Sequence, residues 1–442
     1  MSDKAIPTNH RDTKARSFFF LCDSVSPWLK AIYFSSRFTN GLTILLLIVT
    51  IAASASWNTN QVQAQAGIEM DSSATYVFGQ QITFIAQLKS PVQIQQATIV
   101  ILDESQGVSH VRPVAFTDGR SEFVFDTQQN HIRPFSSVSW YYQITLLDGT
   151  SAQSNSQSIR YEDNRFTWQK LEAGSLRVLW AQGDAAFGQN TLNAALTGLQ
   201  SIGNILPVDL AQPVDIYIYP TANDISFLSG ESWDAGRAYP DLGIALAAIE
   251  LDSNQSVNME QRIPHELMHM MLYRQIGAGY KNLPVWLNEG FATLAEINPT
   301  PEYERVLLDA SNRNDLIPLR DLCASFPADS ASAFLAYAEA RSFITYLRDT
   351  YGAPALLNLA KVYATGVDCE TGIQGALGLS LSQLDENWRE NALGQNVLGV
   401  AFRNMLPYLV LLLLLVFLPF IVGMNSARQK AGENGSGTSS NR

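Results

Sequence analysis

The stretch "IPHELMHMML" at residues 263–272 places two of the chain's five histidines four positions apart, with a glutamate directly after the first. Residues four apart share one face of an α-helix, so His265 and His269 can direct two imidazole nitrogens at one metal ion. The pattern H-E-x-x-H on a helix supplies two zinc ligands and a general base, here Glu266. Pro264 fits the first turn of such a helix, where its missing N–H costs nothing.

A second stretch, "VWLNEGFA" at residues 285–292, supplies a third ligand. A catalytic zinc ion takes three protein ligands and a water molecule, and two histidines with one glutamate form a known set. Glu289 lies twenty positions after His269, and the chain between them contains two glycines and Pro284. Such a break allows a second helix to fold back on the first. The apolar neighbours of Glu289 argue against a purely solvated surface role.

Together, "HELMH" and "WLNEGFA" resemble the gluzincin metallopeptidases, the peptidase MA-like group that includes the membrane alanyl aminopeptidases. The resemblance covers about residues 165–395 and is strongest over 263–296. It implies a thermolysin-like catalytic domain in which one zinc ion is held by His265, His269 and Glu289.

The resemblance also implies roles for residues further along the chain. Glu296 matches a glutamate of the second coordination shell in that family, and it lies seven positions after Glu289, two helical turns away on the same face. The segment "AFLAYAEARSFITYL" at 333–347 resembles the helix that carries a transition-state tyrosine. Tyr337 is the better match for that catalytic tyrosine, and Tyr346 is the second.

One signature of the aminopeptidases is missing. They carry Gly-x-Met-Glu-Asn on the strand before the zinc helix, where it holds the free amine of the substrate, whereas the strand here reads "GIALAAIEL" at 243–251. An endopeptidase or a specialised membrane-surface protease is therefore as well supported as an aminopeptidase. In either case zinc would acidify its bound water. Glu266 would take the proton, and Tyr337 would stabilise the oxyanion.

The segment before this region has a different pattern. Residues 67–162 alternate apolar and polar positions in short bursts separated by turn residues, which is typical of an antiparallel β-sandwich of immunoglobulin or fibronectin type III character, with Trp140 in its core. From residue 165, strands are followed by a series of helices. We therefore predict an α+β zincin domain over 165–396, preceded by an all-β sandwich domain over 67–162.

Two apolar runs predict how the chain meets a membrane. The run at 41–56 follows a basic segment and is short for a membrane span, so residues 1–66 are interpreted as a cytoplasmic basic segment plus a signal peptide or an uncleaved signal anchor. The run at 406–424 is long enough to cross a bilayer, with a buried core helix as the alternative. We predict a C-terminal transmembrane helix over 405–424 and a cytoplasmic tail over 425–442.

The charge distribution predicts the orientation and excludes some partners. Basic residues flank both apolar runs on their outer sides, so by the positive-inside rule residues 67–395 are extracytoplasmic, at a plasma membrane and in a bacterial cell. The net charge of −12 excludes nucleic acid as a partner. Three cysteines rule out a disulfide framework, although Cys323 and Cys369 could form one bridge in an oxidising space or remain two separate thiols.

Two classes of function are consistent with these patterns. The first is a membrane-anchored zinc metallopeptidase that acts on a peptide or protein substrate and contacts the lipid bilayer through 405–424, and through 41–56 if that segment is retained. The alternative is a non-catalytic surface binding or adhesion protein, in which the sandwich binds a partner and the zincin domain is structural. The presence of all three ligand types and the base favours the peptidase.

Overall fold

The computed structural model describes residues 66–229, 235–395, 402 and 405–417. These residues belong to one compact unit that begins at Ala66. The basic segment and signal or anchor segment predicted within residues 1–66 lie outside the described residues, apart from Ala66. The cytoplasmic tail predicted over 425–442 lies outside them as well.

The N-terminal part of the unit consists of two β-sheets. Its strands are β1 Ala66–Gly67, β2 Met70–Val77, β3 Gln81–Leu88, β4 Ile94–Asp103, β5 Val108–Val114, β6 Arg120–Asp126, β7 Ser137–Leu146, β8 Ser151–Gln153 and β9 Gln157–Arg160. One sheet has the order β1-β8-β7-β4-β5, with β9 also paired to β7, and the other has the order β2-β3-β6. Alternate residues of the strands are buried between the sheets, and Trp140 lies there against Phe84 as predicted. We call this part the sandwich.

The second part is a five-stranded sheet followed by helices. Its strands are β10 Gln169–Ala173, β11 Leu176–Trp180, β12 Val214–Tyr219, β13 Gly236–Tyr239 and β14 Ile244–Ala248. The order is β10-β11-β12-β14-β13. Strands β11, β12 and β14 are parallel, whereas β13 pairs antiparallel with β14 at one edge. The helices are α1 Ala185–Gly203, α2 Ala222–Ser229, α3 Gln255–Ile276, α4 Val285–Ala295, α5 Glu302–Arg313, α6 Ser330–Tyr351, α7 Ala353–Ala364, α8 Cys369–Leu377 and α9 Leu381–Asn391.

Both faces of this second sheet are covered. Every residue of β12, "VDIYIY", is buried, as in a strand packed on two sides, and its one charged residue, Asp215, pairs with Arg177 and Arg160. Ile216 and Ile218 pack against the helices. Tyr217 and Tyr219 face the other way: Tyr217 packs with Phe135, which comes from the sandwich, and Tyr219 packs with Trp168. Helix α2, Trp168 and Phe135 of the sandwich together cover this face of the sheet.

A disulfide bond fixes the start of α4. Cys323 and Cys369 are bonded with an S–S distance of 2.00 Å, so the alternative of two separate thiols is wrong. The first N–H groups of a helix have no partner within the helix. Here the N–H of Val285 donates to the Cys323 carbonyl at 3.0 Å, and that of Trp286 donates to the Leu322 carbonyl at 3.1 Å. The cross-linked segment thus caps the helix that carries Glu289.

The C-terminal apolar run is described only in part. Residues 405–417 are helical with mostly exposed side chains, and residues 418–424 of the predicted span lie outside the described residues. Within the part of the chain that the structure describes, no helix is both long enough and apolar enough to cross a membrane.

A carboxyl group is buried in α6, away from the predicted site residues. Glu339 is fully buried, and its Oε1 accepts a hydrogen bond from the Ile317 N–H at 2.9 Å. Its Oε2 has no hydrogen-bond partner among the described residues. Burial raises the pKa of Glu339 to about 8, because the charged form is poorly solvated there. The folded protein therefore keeps this proton at a pH where the unfolded chain has lost it.

This difference predicts a pH-dependent stability. Between the ordinary pKa of 4.5 and the raised value of about 8, the folded state binds more protons, so the free energy of unfolding falls as pH rises. We expect the free energy of unfolding of Glu339→Gln to lack this fall with pH. At pH 8 it should be higher than that of the parent by on the order of 2–4 kcal/mol. Denaturant unfolding at pH 5 and pH 8 measures it, with the exposed Glu386→Gln in α9 as control. An unchanged slope for Glu339→Gln would contradict the prediction.

Candidate metal centre

Two helices bring the three predicted ligands together. His265 and His269 lie on one face of α3, and Glu289 lies on α4. Glu289 Oε2 is 3.4 Å from His265 Nε2 and 3.8 Å from His269 Nε2. Ligand atoms of the three residues all lie within 4.8 Å of one another. Tetrahedral zinc with bonds near 2.0–2.1 Å separates its ligands by about 3.4 Å, so the two distances to Glu289 are close to what the ion needs, and two imidazoles with one carboxylate are suitable donors.

The opposite ring nitrogens of both histidines have partners of their own. His265 Nδ1 is 3.1 Å from Glu296 Oε1, and His269 Nδ1 is 3.2 Å from Asn288 Oδ1. When Nδ1 donates its proton to such an oxygen, Nε2 is left with the lone pair that a metal needs. His269 Nδ1 also lies 3.0 Å from the hydroxyl of Tyr280. The contacts at Nδ1 therefore orient both rings so that their Nε2 atoms can bind a metal ion.

Glu296 reaches His265 by a route that helical spacing did not predict. Helix α4 ends at Ala295, so Glu296 is the residue after the helix and not a member of it. The interpretation that it shares a helical face with Glu289 is wrong. Its side chain nevertheless lies against His265, because the backbone turns away from the helix at this point.

Pro264 explains why the chain is held there. Helix α3 begins at Gln255, so Pro264 lies in the helix interior and the prediction of a first-turn position is wrong. A proline inside a helix leaves the carbonyl four residues earlier without its N–H partner, here that of Glu260. That carbonyl accepts instead from the N–H of Ile297 at 3.0 Å. Pro264 thus leaves the Glu260 carbonyl free to hold Ile297, the residue next to Glu296.

The pKa values of the three predicted ligands are shifted in directions that favour a cation at the centre. Burial acts to lower the pKa of His265, but hydrogen bonds to Glu289 and Glu296 outweigh it and raise that pKa well above its usual value. Burial lowers the pKa of His269 to about 4. Burial acts to raise the pKa of Glu289, yet the two neighbouring imidazoles hold it below its usual range. Buried carboxylates of this kind call for a positive charge between the ligands.

Glu266 lies in the same cavity and is close to a strand. The cavity has a volume of about 500 Å³ and is lined by residues of β13, α3 and α4 together with Tyr337. Glu266 is only 6% exposed. A Cβ atom at Gly236 of β13 would come within 2.3 Å of Glu266 Oε1, so only glycine allows the strand to approach the carboxylate this closely.

The cavity wall comes from a strand that the sequence did not indicate. The five residues of β14, "IALAA", are all buried, so this strand does not line the cavity. Gly236, Arg237 and Ala238 of β13 line it instead. The sequence of β13, "GRAY", also lacks the amine-binding signature of the aminopeptidases.

The tyrosines differ in their relation to the cavity. Tyr337 lines it, with its ring centroid 6.3 Å from that of His265, and it is one of the groups that lower the pKa of Glu289. Tyr346 packs against the helical core and is not among the lining residues. Tyr280, on a short 3-10 helix between α3 and α4, lines the cavity beside His269. No sequence spacing indicated Tyr280, because the glycine-rich segment "GAGYKN" carries no periodic pattern.

A buried His-His-Glu cluster on two helices, with a carboxylate beside it in a cavity, defines a candidate metal-dependent hydrolase. Residues 194–394 match the sequence profile of the Peptidase MA superfamily, and this range includes every predicted site residue. The match supports a peptidase MA-like family for this part of the chain, and with it a peptidase-like hydrolase. No curated protein sequence matches the chain.

Solved structures give only distant likenesses. A polysaccharide deacetylase from Bacillus cereus is 10% identical with a TM-score of 0.19, and a putative one from Bacillus anthracis is 12% identical with a TM-score of 0.20. Each alignment covers 44% of this chain and 66% of the deacetylase. A purple acid phosphatase from yellow lupin is 9% identical with a TM-score of 0.18, covering 46% of this chain and 39% of its own. These scores establish no shared fold.

Proposed function

We propose that this chain is a membrane-anchored zinc metallopeptidase of the gluzincin type that hydrolyses peptide bonds on the extracytoplasmic side. The observation that carries the proposal is the convergence of His265, His269 and Glu289 within 4.8 Å, beside Glu266 in one cavity. Two imidazoles and one carboxylate form a ligand set of catalytic zinc sites. The match of residues 194–394 to the Peptidase MA superfamily supports the peptidase class.

The residues present support a hydrolytic mechanism. Zinc, when bound, supplies Lewis-acid activation of a water molecule and of the scissile carbonyl. Glu266 accepts the proton of the attacking water and delivers it to the leaving amine. The hydroxyl of Tyr337 donates a hydrogen bond to the developing oxyanion, and one such donor contributes about 3 kcal/mol. Glu296 and Asn288 keep the two imidazoles oriented by holding their Nδ1 protons.

The proposal covers internal peptide bonds rather than amino-terminal ones. An aminopeptidase needs a group that binds the free amine of its substrate, and the signature that does so is missing from both β13 and β14. Endoproteolysis or processing at a membrane surface is therefore proposed.

We propose anchoring at a bacterial plasma membrane, and two features support a membrane anchor with residues 67–395 outside. The run at 406–424 contains no charged residue, and Arg428 and Lys430 follow it. The bond between Cys323 and Cys369 is of a kind that persists in oxidising compartments.

Metal removal tests the proposal. The full chain, purified in detergent, is incubated with a peptide library, and cleavage products are identified by mass spectrometry before chelation, after chelation and after zinc is restored. We expect new termini in the first and third samples only, with one bound zinc per chain. A chain that binds no zinc, or whose products are unaffected by chelation, would leave the non-catalytic binding protein as the better reading.

A further inference from the structure

Strand β13 forms one wall of the cavity but is held by the sheet on only one side. It pairs with β14 and is the last strand in the sheet order. It is four residues long, Gly236–Tyr239. Because Gly236 lies directly against Glu266, a small shift of this strand changes the space around the carboxylate. Something beyond strand pairing has to fix its position.

The sandwich contacts the end of this strand through one side chain. Arg133, between β6 and β7, donates hydrogen bonds to both carboxylate oxygens of Asp241, at 2.5 and 2.7 Å. Its guanidinium also lies over the ring of Tyr239, 5.1 Å from the centroid. Tyr239 is the last residue of β13, and Asp241 follows two positions later. A two-point ion pair with a planar guanidinium fixes orientation as well as distance.

The loop that presents Arg133 is itself fixed. The backbone N–H of Arg133 donates to Asp103 at 2.9 Å, and Asp103 is fully buried in the sandwich. Two residues later, Phe135 is 3% exposed and packs against Tyr239 and Tyr217, with ring centroids 6.1 and 4.7 Å away. Arg133 therefore extends from a rigid support and does not reach across solvent.

The chain before β13 is held by the sandwich too. Phe227 of α2 lies against Gly79, where a Cβ atom would come within 2.5 Å of the phenyl ring. The guanidinium of Arg165 lies over the same ring, 4.2 Å from its centroid. Helix α2 is the element that precedes β13 in sequence. Residues that contact the sandwich, or Arg165 just after it, therefore lie both before and after β13 in the sequence.

We infer that the sandwich is the positioning element of the active site: Arg133, through Asp241 and Tyr239, sets the distance between β13 and Glu266. This inference rests on the proposed function, because a position matters only if Glu266 does chemistry. Arg133 is a positioning residue and touches no substrate. Displacing a reacting group by about 1 Å costs on the order of 100-fold in rate, so a loosened wall lowers kcat.

Arg133→Met in the full chain tests the inference. It removes both hydrogen bonds to Asp241 and keeps the length of the side chain. We expect kcat on a mapped peptide to fall about 10- to 100-fold, with bound zinc unchanged. Arg160→Met is the matched control, since Arg160 of β9 also joins the sandwich to the second sheet, 3.2 Å from Asp215 of β12, but β12 contributes no residue to the cavity lining. This control keeps its kcat.

A double-mutant cycle identifies the route of the effect. If Arg133 acts through Asp241, the variant Arg133→Met with Asp241→Asn loses no more kcat than Arg133→Met alone. Circular dichroism confirms that each variant is folded before kinetics. Equal losses in Arg133→Met and Arg160→Met, no loss in either, or additive losses in the double variant would overturn the inference while the peptidase stands. A parent chain that cleaves nothing overturns the proposed function as well.

Discussion

Glu266→Gln is expected to lower kcat by about 10²–10⁴-fold while the chain keeps its zinc. The glutamine fills nearly the same volume beside Gly236, but its amide cannot accept a proton from the attacking water. The three ligands are untouched, so metal binding persists. Steady-state kinetics on a peptide mapped with the parent chain, with elemental analysis of the same samples, measures both quantities.

The control for this variant lies on the same helix. Glu260→Gln makes the same chemical change in α3 but outside the cavity lining, and it should leave kcat and zinc content at parental values. If Glu266→Gln retained parental kcat, Glu266 would not be the general base, whatever the metal content. If it lost its zinc, the loss of activity would report on the metal site instead.

Glu289→Gln is expected to weaken zinc binding by more than about 100-fold. Glu289 is the negatively charged ligand of the set, and replacing its carboxylate by a neutral amide removes most of its attraction for a dication. Partners that merely orient a ligand already contribute 10- to 100-fold in affinity, so a ligand itself contributes more. Competition with a chromogenic chelator measures the dissociation constant, and hydrolysis should fall in step with zinc occupancy.

Glu302→Gln provides the comparison, since Glu302 is exposed at the start of α5. It should bind zinc as the parent does. If Glu289→Gln bound zinc with unchanged affinity, Glu289 would not be a ligand. The proposal that residues of α3 and α4 together bind the ion would then be wrong. Because Glu266→Gln keeps zinc and Glu289→Gln loses it, the pair separates the base from the ligand.

The division of the chain into N-terminal sheets and C-terminal helices was predictable, because local periodicity reports it. Strands that bury one face alternate with period two, and the helices after residue 258 have apolar residues at helical spacing. Strand β13 was missed because "GRAY" is too short to show a period. The sequence did not indicate that β12 is buried on both faces, because its second residue, Asp215, is charged.

The ligand positions were predictable for a different reason. Two histidines four positions apart converge on any helix, and a short connection between two helices brings Glu289 next to them. Contacts that depend on backbone irregularity could not be anticipated. Glu296 reaches His265 only because α4 stops at Ala295 and the Glu260 carbonyl, freed by Pro264, binds Ile297. Tyr280 and Gly236 meet the site through tertiary packing that no local pattern encodes.

The covered outer face of the second sheet has a consequence for any shortened form of the protein. Phe135, Tyr217 and Tyr219 belong to a buried cluster between the two halves, and each of them is at most 3% exposed. A fragment starting after the sandwich would bare a row of tyrosines and aliphatic side chains to solvent, and such patches drive aggregation. We therefore expect the two halves to be stable only when both are present in one chain.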